Sequence, residues 1–189
     1  RTLVDVEKLD CSINLFGQKS NSPMILCPTA FTRAFHHHGE IAVAKAAKKA
    51  GLIYSLSTVS NTSIEEIAEI DGPRWFQIYV YKDRSLVKDF IERCRHAGYQ
   101  ALCLTVDAST PGNREHDIRN GLTVPPKPTL KTILDAAKHP YWVWHMLTSP
   151  AIITANIKGD SRLDSSDSQA LLEYMHEQLD VNVSWDDVA

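Results

Sequence analysis

Residues 75–107 read WFQIYVYKDRSLVKDFIERCRHAGYQALCLTVD, and this stretch decides the fold class. The short apolar runs at residues 75–80 and 101–106 predict two strands. Residues 85–97 between them predict a helix, which ends before Gly98. The side chains at helical spacing that form its predicted buried face are Leu86, Phe90, Ile91 and Cys94. A helix that connects two successive strands predicts that those strands are parallel.

The same alternation of strand and helix continues towards the N-terminus. Residues 24–27 and 52–57 predict strands, residues 39–49 predict a helix, and a second helix is predicted to begin at Thr62 or Ser63. Strands that start about 25 residues apart predict an α/β fold, and they favour a TIM (β/α)8 barrel, whose units average roughly 31 residues. Only about the first four βα units are present. An open doubly wound sheet is the alternative, although no Gly-x-Gly-x-x-Gly motif follows the first strand.

The composition is that of a globular protein and excludes several functional classes. The chain has 189 residues, a formal charge of −3 and 43% hydrophobic residues. It contains no run of 18 apolar residues that would span a bilayer, and no basic block that would bind nucleic acid. The acidic start RTLVDVEKLD lacks the apolar core of a signal peptide, so we expect a cytoplasmic protein. A whole barrel needs about 250 residues, so we expect only part of one here.

The cysteines and histidines predict neither a zinc site nor a disulfide framework. None of the four cysteines forms a Cys-x-x-Cys pair. Cys27 and Cys103 lie inside apolar runs and are predicted to be small buried side chains. The triplet His36-His37-His38 is interpreted as a loop, because consecutive side chains rarely converge on one ion.

The chain divides into three predicted segments. Residues 1–23 form an N-terminal hairpin segment, residues 24–106 hold the four strands, and residues 107–189 form a long loop with helices. Within the last segment, residues 129–139 and 170–179 predict helices.

An aromatic stretch, YWVWHML at residues 141–147, has two possible roles. It could pack against the outside of the barrel, or it could make a peripheral contact with the inner face of a membrane. The absence of a face rich in Lys and Arg favours packing. Both roles stay open at this point.

Polar residues recur at the C-terminal ends of the predicted strands. They are Thr29, Ser57, Gln77, Tyr79, Thr105 and Asp107. Barrel active sites gather at this edge. A buried amide or hydroxyl needs a hydrogen-bond partner, which a bound ligand would supply. The same residues could instead bond to one another or to the backbone, and the pattern leaves both interpretations open.

Six ordered motifs carry a resemblance to a known family: SPMILCPTAF, GEIAVAKAAKKAG, SLSTVSNTSIEEIA, WFQIYVYKDR, GYQALCLTVD and GNREHDIRNG. Together they resemble the FMN-dependent 2-hydroxy acid oxidases and dehydrogenases, which include glycolate oxidase, lactate oxidase, L-lactate and mandelate dehydrogenases, and flavocytochrome b2. The resemblance covers residue 1 to about residue 125 and returns at residues 184–188. It implies an eightfold barrel that holds FMN and oxidises a small L-2-hydroxy acid, of the lactate or glycolate class, to the 2-oxo acid.

The resemblance also implies roles for individual residues. Those that would lie along the flavin ring or hydrogen-bond its polar edge are Pro28, Thr29, Ala30, Ser57, Gln77 and Thr105. Tyr79 would act on the substrate as a catalytic and binding residue, and Arg114 would help to bind it. Asp107 would pair with the catalytic histidine of the family and support its cationic form, as a carboxylate does in a catalytic triad.

Further expectations follow from the resemblance. It implies oxygen, a quinone or a cytochrome as the electron acceptor, and a homo-tetramer. The histidine base and a flavin-contacting lysine would come after Ala189, so the 189-residue chain alone is expected to be inactive. The alternatives are a truncated or non-enzymatic relative, or another FMN barrel such as an isopentenyl diphosphate isomerase. The spacing of Asp107, Gly112 and Arg114 argues against that other barrel.

Overall fold

The computed structural model describes residues 7, 9–107, 115–119, 129–150, 152–157 and 177–187. An antiparallel hairpin comes first, with strand β1 at Ile13–Leu15 and strand β2 at Gln18–Ser20. Phe16 in its turn packs edge-on against Trp75, with ring centroids 5.5 Å apart. Gln18 accepts a hydrogen bond from the Trp75 indole at 3.1 Å. The alternating sequence correctly predicts this hairpin.

Four parallel strands form the main sheet, in the spatial order β3-β4-β5-β6. The strands are β3 at Ile25–Leu26, β4 at Ile53–Ser57, β5 at Arg74–Ile78 and β6 at Ala101–Leu104. The helices that connect them are α1 at Gly39–Ala50, α2 at Ile64–Ala68 and α3 at Arg84–His96. The predicted α/β repeat is therefore present. Within the described residues the sheet is open, as a partial barrel requires.

One face of this sheet carries the hydrophobic core. Leu56 and Phe76 are fully buried beneath the helices, together with Ile67 of α2 and Phe90 of α3. Burial of each such side chain stabilises the fold by about 1.5–3 kcal/mol. The helices therefore cover one side of the sheet and leave the other side for the residues discussed below.

Two predicted core positions are wrong, and a third is only partly right. Ile91 is 40% exposed, because it lies one residue, about 100° around the helix, from the buried Phe90. Cys27 is exposed, and Cys103 is half-buried. Cys103 pairs with Gln77 on the sheet face opposite the helices, and Cys27 follows the short strand β3. An apolar sequence run alone does not reveal which face a residue occupies.

The ends of the helices follow local sequence signals. Ser63 caps α2, where its hydroxyl accepts from the Glu66 N–H at 3.2 Å, and the Glu66 carboxylate accepts from the Ser63 N–H at 2.8 Å. This reciprocal pair is the capping box that the sequence indicates. Helix α1 ends at Gly51, whose φ of 67° lies in the left-handed region that favours glycine.

Three further helices follow β6: α4 at Glu115–Arg119, α5 at Leu130–Ala136 and α6 at Pro140–Thr148. Thr129 caps α5, but the helix ends three residues earlier than predicted. Most of the helix predicted at residues 170–179 lies outside the described residues. Among the helices in the described ranges, none is long and apolar enough to cross a membrane.

Helix α6 packs on one side only. The Trp142 indole donates to the Ala34 carbonyl at 3.0 Å, and His145 stacks on His37 with centroids 3.7 Å apart and planes at 4°. Burial, and then the positive charges of His145 and the neighbouring histidines when protonated, lowers the pKa of His37. The exposed side of the helix carries Tyr141, Trp144 and Leu147. Packing against the barrel is therefore correct for only part of the aromatic stretch.

Candidate active site

The candidate active site lies at the C-terminal ends of β4, β5 and β6. Ser57 pairs with Gln77 in the sheet register, and Gln77 pairs with Cys103. Thr105 comes two residues after Cys103, and its N–H donates to the Ile78 carbonyl at 3.0 Å. Side chains two residues apart along a strand share a face. Ser57, Gln77 and Thr105 therefore form one polar row on the face that the helices leave uncovered.

The Gln77 amide is the centre of this row. Its Oε1 accepts from the Ser57 hydroxyl at 3.2 Å and from the Thr58 N–H at 3.3 Å. Its Nε2 donates to the Thr105 hydroxyl at 2.5 Å. Gln77 is only 6% exposed, so these bonds fix which way the amide faces. The side chains of the row therefore bond to one another and to the neighbouring backbone.

The loop after β4, residues 58–63, forms hydrogen bonds with residues of the polar row. Thr58 donates its hydroxyl hydrogen to the Gln77 carbonyl, and the Val59 N–H donates to the Ser57 hydroxyl at 3.3 Å. The loop is buried along its whole length. We call it the β4–α2 loop.

Glu40 anchors the far end of the β4–α2 loop. Its carboxylate is fully buried and accepts from the Asn61 N–H and from the Thr62 hydroxyl, each at 3.0 Å. Sequence reasoning missed Glu40, because an acidic residue in the first turn of a helix is ordinarily explained by the helix dipole. Only the approach of α1 to this loop reveals its role.

Tyr79 and Asp107 lie next to the polar row. Tyr79 is half-buried, and burial raises the pKa of its phenol. The negative charge of Asp107 raises it further, whereas a hydrogen bond with the Gln77 side chain lowers it. Asp107 itself is exposed. The phenol is therefore neutral at physiological pH and has a proton to donate to an anionic ligand.

A cavity of about 460 Å³ opens beside these residues. Tyr79 and Thr105 line one wall, and the segment at residues 179–185 lines the other. Backbone bonds hold this segment in place, from the Lys82 N–H to the Gln178 carbonyl at 2.7 Å and from the Asp180 N–H to the Val80 carbonyl at 3.2 Å.

Ion pairs with Arg84 also stabilise this part of the chain. The Arg84 guanidinium contacts Asp180 at 2.8 Å and Asp187 at 2.6 Å. It also donates to the Tyr81 carbonyl at 2.8 Å. The acidic partners of Arg84 lie about a hundred positions away along the chain, so no local sequence pattern indicates these ion pairs.

The remaining predicted site residues are Pro28, Thr29, Ala30 and Arg114. Pro28, Thr29 and Ala30 follow β3 at the same edge of the sheet, where Thr29 is exposed and the other two are half-buried. Arg114 lies outside the described residues. The structure thus brings Ser57, Gln77, Thr105, Tyr79 and Asp107 together around the polar row.

The chemistry of the row suits a flat heterocycle with a polar edge. The edge of a flavin ring alternates carbonyl and ring-nitrogen acceptors with an N–H donor. Gln77 and the two hydroxyls each offer both donors and acceptors, and they lie on one face of the sheet. The residues present therefore fit an isoalloxazine ring laid against this edge.

The sequence of the chain is similar to that of known flavin-dependent proteins. The chain matches the family of FMN-dependent dehydrogenases over residues 1–189. It is 37% identical over 191 residues to glycolate oxidase 1 of Oryza sativa subsp. indica, covering 100% of this chain and 45% of that protein. It is 43% identical over 145 residues to an L-lactate dehydrogenase of Ectopseudomonas mendocina, covering 76% of this chain and 38% of the relative.

A solved structure shares the fold. The crystal structure of the monotopic membrane protein (S)-mandelate dehydrogenase superposes with a TM-score of 0.89 at 34% identity. The match covers 99% of this chain and 49% of that protein. The chain thus spans less than half the length of each of these relatives.

Proposed function

Because this chain belongs to the FMN-dependent dehydrogenase family, we propose that the full-length protein oxidises a small L-2-hydroxy acid, of the lactate or glycolate class, to the 2-oxo acid. The observation that carries the proposal is the row of Ser57, Gln77 and Thr105 beside the cavity lined by Tyr79. Conversion of the C–OH group to C=O removes two electrons and two protons. Bound FMN supplies the two-electron acceptor for this chemistry.

The polar row would hold the flavin edge. Gln77 would face that edge with an amide already oriented by Ser57 and Thr58. Donors fixed in advance need no reorganisation when negative charge develops on the ring. Pro28, Thr29 and Ala30 would lie along the ring at the neighbouring strand end.

The residues around the cavity would bind the substrate. The neutral Tyr79 phenol would donate to the substrate carboxylate or hydroxyl. Arg114 would pair with the carboxylate, for which a guanidinium is suited. Asp107 would orient the histidine base that takes the substrate proton, and its negative charge would stabilise that base in its cationic form.

Oxygen, a quinone or a cytochrome would then take the electrons, and we retain all three classes as candidates. The homo-tetramer implied by the resemblance also stays a prediction.

The direct test is to purify the full-length protein and record its visible spectrum. We expect a flavin band near about 450 nm that bleaches when L-lactate or glycolate is added under anaerobic conditions. The matching D-lactate serves as the control and should leave the band unchanged. A colourless protein, or a flavin that no 2-hydroxy acid reduces, would contradict the proposal.

We further propose that the α5–α6 segment, residues 129–148, contacts a membrane surface. Its exposed apolar side chains are Leu130, Ile133, Leu134, Tyr141, Trp144 and Leu147. Exposed apolar patches of this kind mark interaction sites, and aromatic rings favour the bilayer interface. The related (S)-mandelate dehydrogenase is a monotopic membrane protein, which supports the proposal.

Replacement of Trp144 and Leu147 by serine should weaken binding to phospholipid vesicles by about tenfold, since both side chains would lose their apolar contact with the acyl region. Co-sedimentation with vesicles measures the effect. Trp185→Ser is the matched control, because Trp185 is 81% exposed but lies outside the α5–α6 segment. Equal losses from the double variant and the control would refute this location for the contact.

A further inference from the structure

Asn156 has a buried side-chain amide that has no role in the proposed reaction. It is 1% exposed and lies in the short segment at residues 152–157, which follows α6. Its Oδ1 accepts from the Ile64 N–H at 2.9 Å, and its Nδ2 donates to the Ser60 hydroxyl at 3.0 Å and to the Thr62 carbonyl at 3.4 Å. Each of these partners belongs to the β4–α2 loop or to the first residue of α2.

The segment around Asn156 is bound to the same loop by its backbone. The Ala155 N–H donates to the Ser60 carbonyl at 3.1 Å, and Asn61 Nδ2 donates to the Ile153 carbonyl at 2.8 Å. Residues 60–64 thus have a polar partner on this segment at several successive positions. These bonds, together with those to Glu40, fix the backbone path of the β4–α2 loop.

Arg93 secures Asn156 from the other side. Its guanidinium donates to the Asn156 carbonyl at 2.8 Å and to the Asn156 Oδ1 at 3.3 Å. The same guanidinium forms an ion pair with Glu65 of α2 at 2.7 Å. Asn156 therefore has little freedom to move relative to α2 and α3.

The other end of the loop reaches the flavin edge. Thr58 donates its N–H to Gln77 Oε1, and its hydroxyl donates to the Gln77 carbonyl. Thr58 is therefore one of the three residues that orient the Gln77 amide, together with Ser57 and Thr105. A displacement of residues 60–62 would be transmitted to Thr58 along only two to four peptide units.

We propose that Asn156 is a positioning residue for the flavin edge, which acts through the β4–α2 loop to orient the Gln77 amide. It touches neither cofactor nor substrate. The inference rests on the proposed binding of FMN at this edge. It explains why a residue that lies 79 positions after Gln77 is buried with every polar atom of its side chain paired.

A double-mutant cycle on the full-length apoprotein tests the proposal. The FMN dissociation constant is measured by quenching of flavin fluorescence for the wild type, Asn156→Asp, Gln77→Leu and the double variant. Asn156→Asp keeps the acceptor for Ile64 and Arg93 but loses both amide donors. It should weaken FMN binding by about tenfold in the wild-type background, and less than about twofold when Gln77 is already absent.

Two further variants separate positioning from stability. Phe90→Leu loosens the core on the helix side and should lower the melting temperature while leaving the FMN dissociation constant within about twofold. Ser60→Ala removes the nearer of the two acceptors of the Asn156 amide and should reproduce the pattern of Asn156→Asp, which keeps the test decisive if that variant does not fold.

The outcomes are distinguishable. The positioning role would be overturned if Asn156→Asp weakened FMN binding by the same factor in the wild-type and Gln77→Leu proteins, or if it left FMN affinity unchanged. Either result would leave the proposed function intact. A wild-type protein that does not bind FMN would overturn the proposed function and this inference with it.

Discussion

Gln77→Leu is expected to weaken FMN binding by about a hundredfold. Leucine has a similar volume, so the site keeps its shape, but the Ser57 hydroxyl, the Thr58 N–H and the Thr105 hydroxyl each lose their hydrogen bond to Gln77. The bond from Gln77 to the flavin edge would disappear, and bound FMN would cover the unpaired groups, whose removal from water costs about 1–3 kcal/mol each. Titration of the full-length apoprotein with FMN measures the loss.

Gln100→Leu is the matched control for this prediction. Gln100 accepts from the Arg74 N–H at 3.3 Å, at the N-terminal end of the sheet and away from the polar row. The same change of residue there should leave FMN affinity within about twofold, because a glutamine on the surface contributes little. If both variants lost FMN equally, the effect would come from general destabilisation and Gln77 would not be part of the flavin site.

Asp107→Asn should lower kcat by about a hundredfold or more, with a small change in KM. The substitution keeps the shape of the side chain but removes the charge that would support the cationic histidine base, and general acid–base catalysis contributes roughly 10²–10⁴ to a rate. Steady-state kinetics with L-lactate or glycolate measures the change.

An independent readout comes from Tyr79. The Asp107 carboxylate raises the pKa of the Tyr79 phenol, so its removal should move that pKa down, towards the ordinary value of about 10. It should stay above that value, because burial, the larger cause, remains. Ultraviolet difference titration of the phenolate detects the shift.

Asp71→Asn controls for loss of an aspartate charge in general. Asp71 is exposed and forms an ion pair with Lys48 at 3.1 Å, at the end of the sheet opposite the site. It should leave both kcat and the Tyr79 titration unaffected. Unchanged turnover in Asp107→Asn would rule out the catalytic role assigned to Asp107.

The sequence predicted the secondary structure well because the signals are local. The strand–helix–strand pattern at residues 75–106 and the capping signal at Ser63 depend on neighbours a few positions away. The strand ends were less well predicted. The sequence predicts a fourth strand up to residue 106, but the strand ends at Leu104.

Burial was predicted less well wherever it depends on which face of the sheet a residue occupies. Cys27 and Cys103 lie in runs as apolar as that around the buried Leu56. Helices cover only the face with Leu56, and no count of apolar neighbours along the chain contains that information. The prediction for Ile91 is wrong for a related reason. Ile91 comes one residue after the buried Phe90, and that step around the helix turns its side chain from the core to the surface.

By itself, the sequence determined the α/β repeat, the polar residues at the strand ends and the resemblance to flavin-dependent 2-hydroxy acid enzymes. Each of these features can be recognised from short sequence motifs. Only the tertiary structure decided that Gln77 is held by Ser57, Thr58 and Thr105, and that Glu40 and Asn156 brace the loop behind it. Those contacts join residues 19 to 96 positions apart, and a hydrogen bond depends on distance in space and not on distance along the chain.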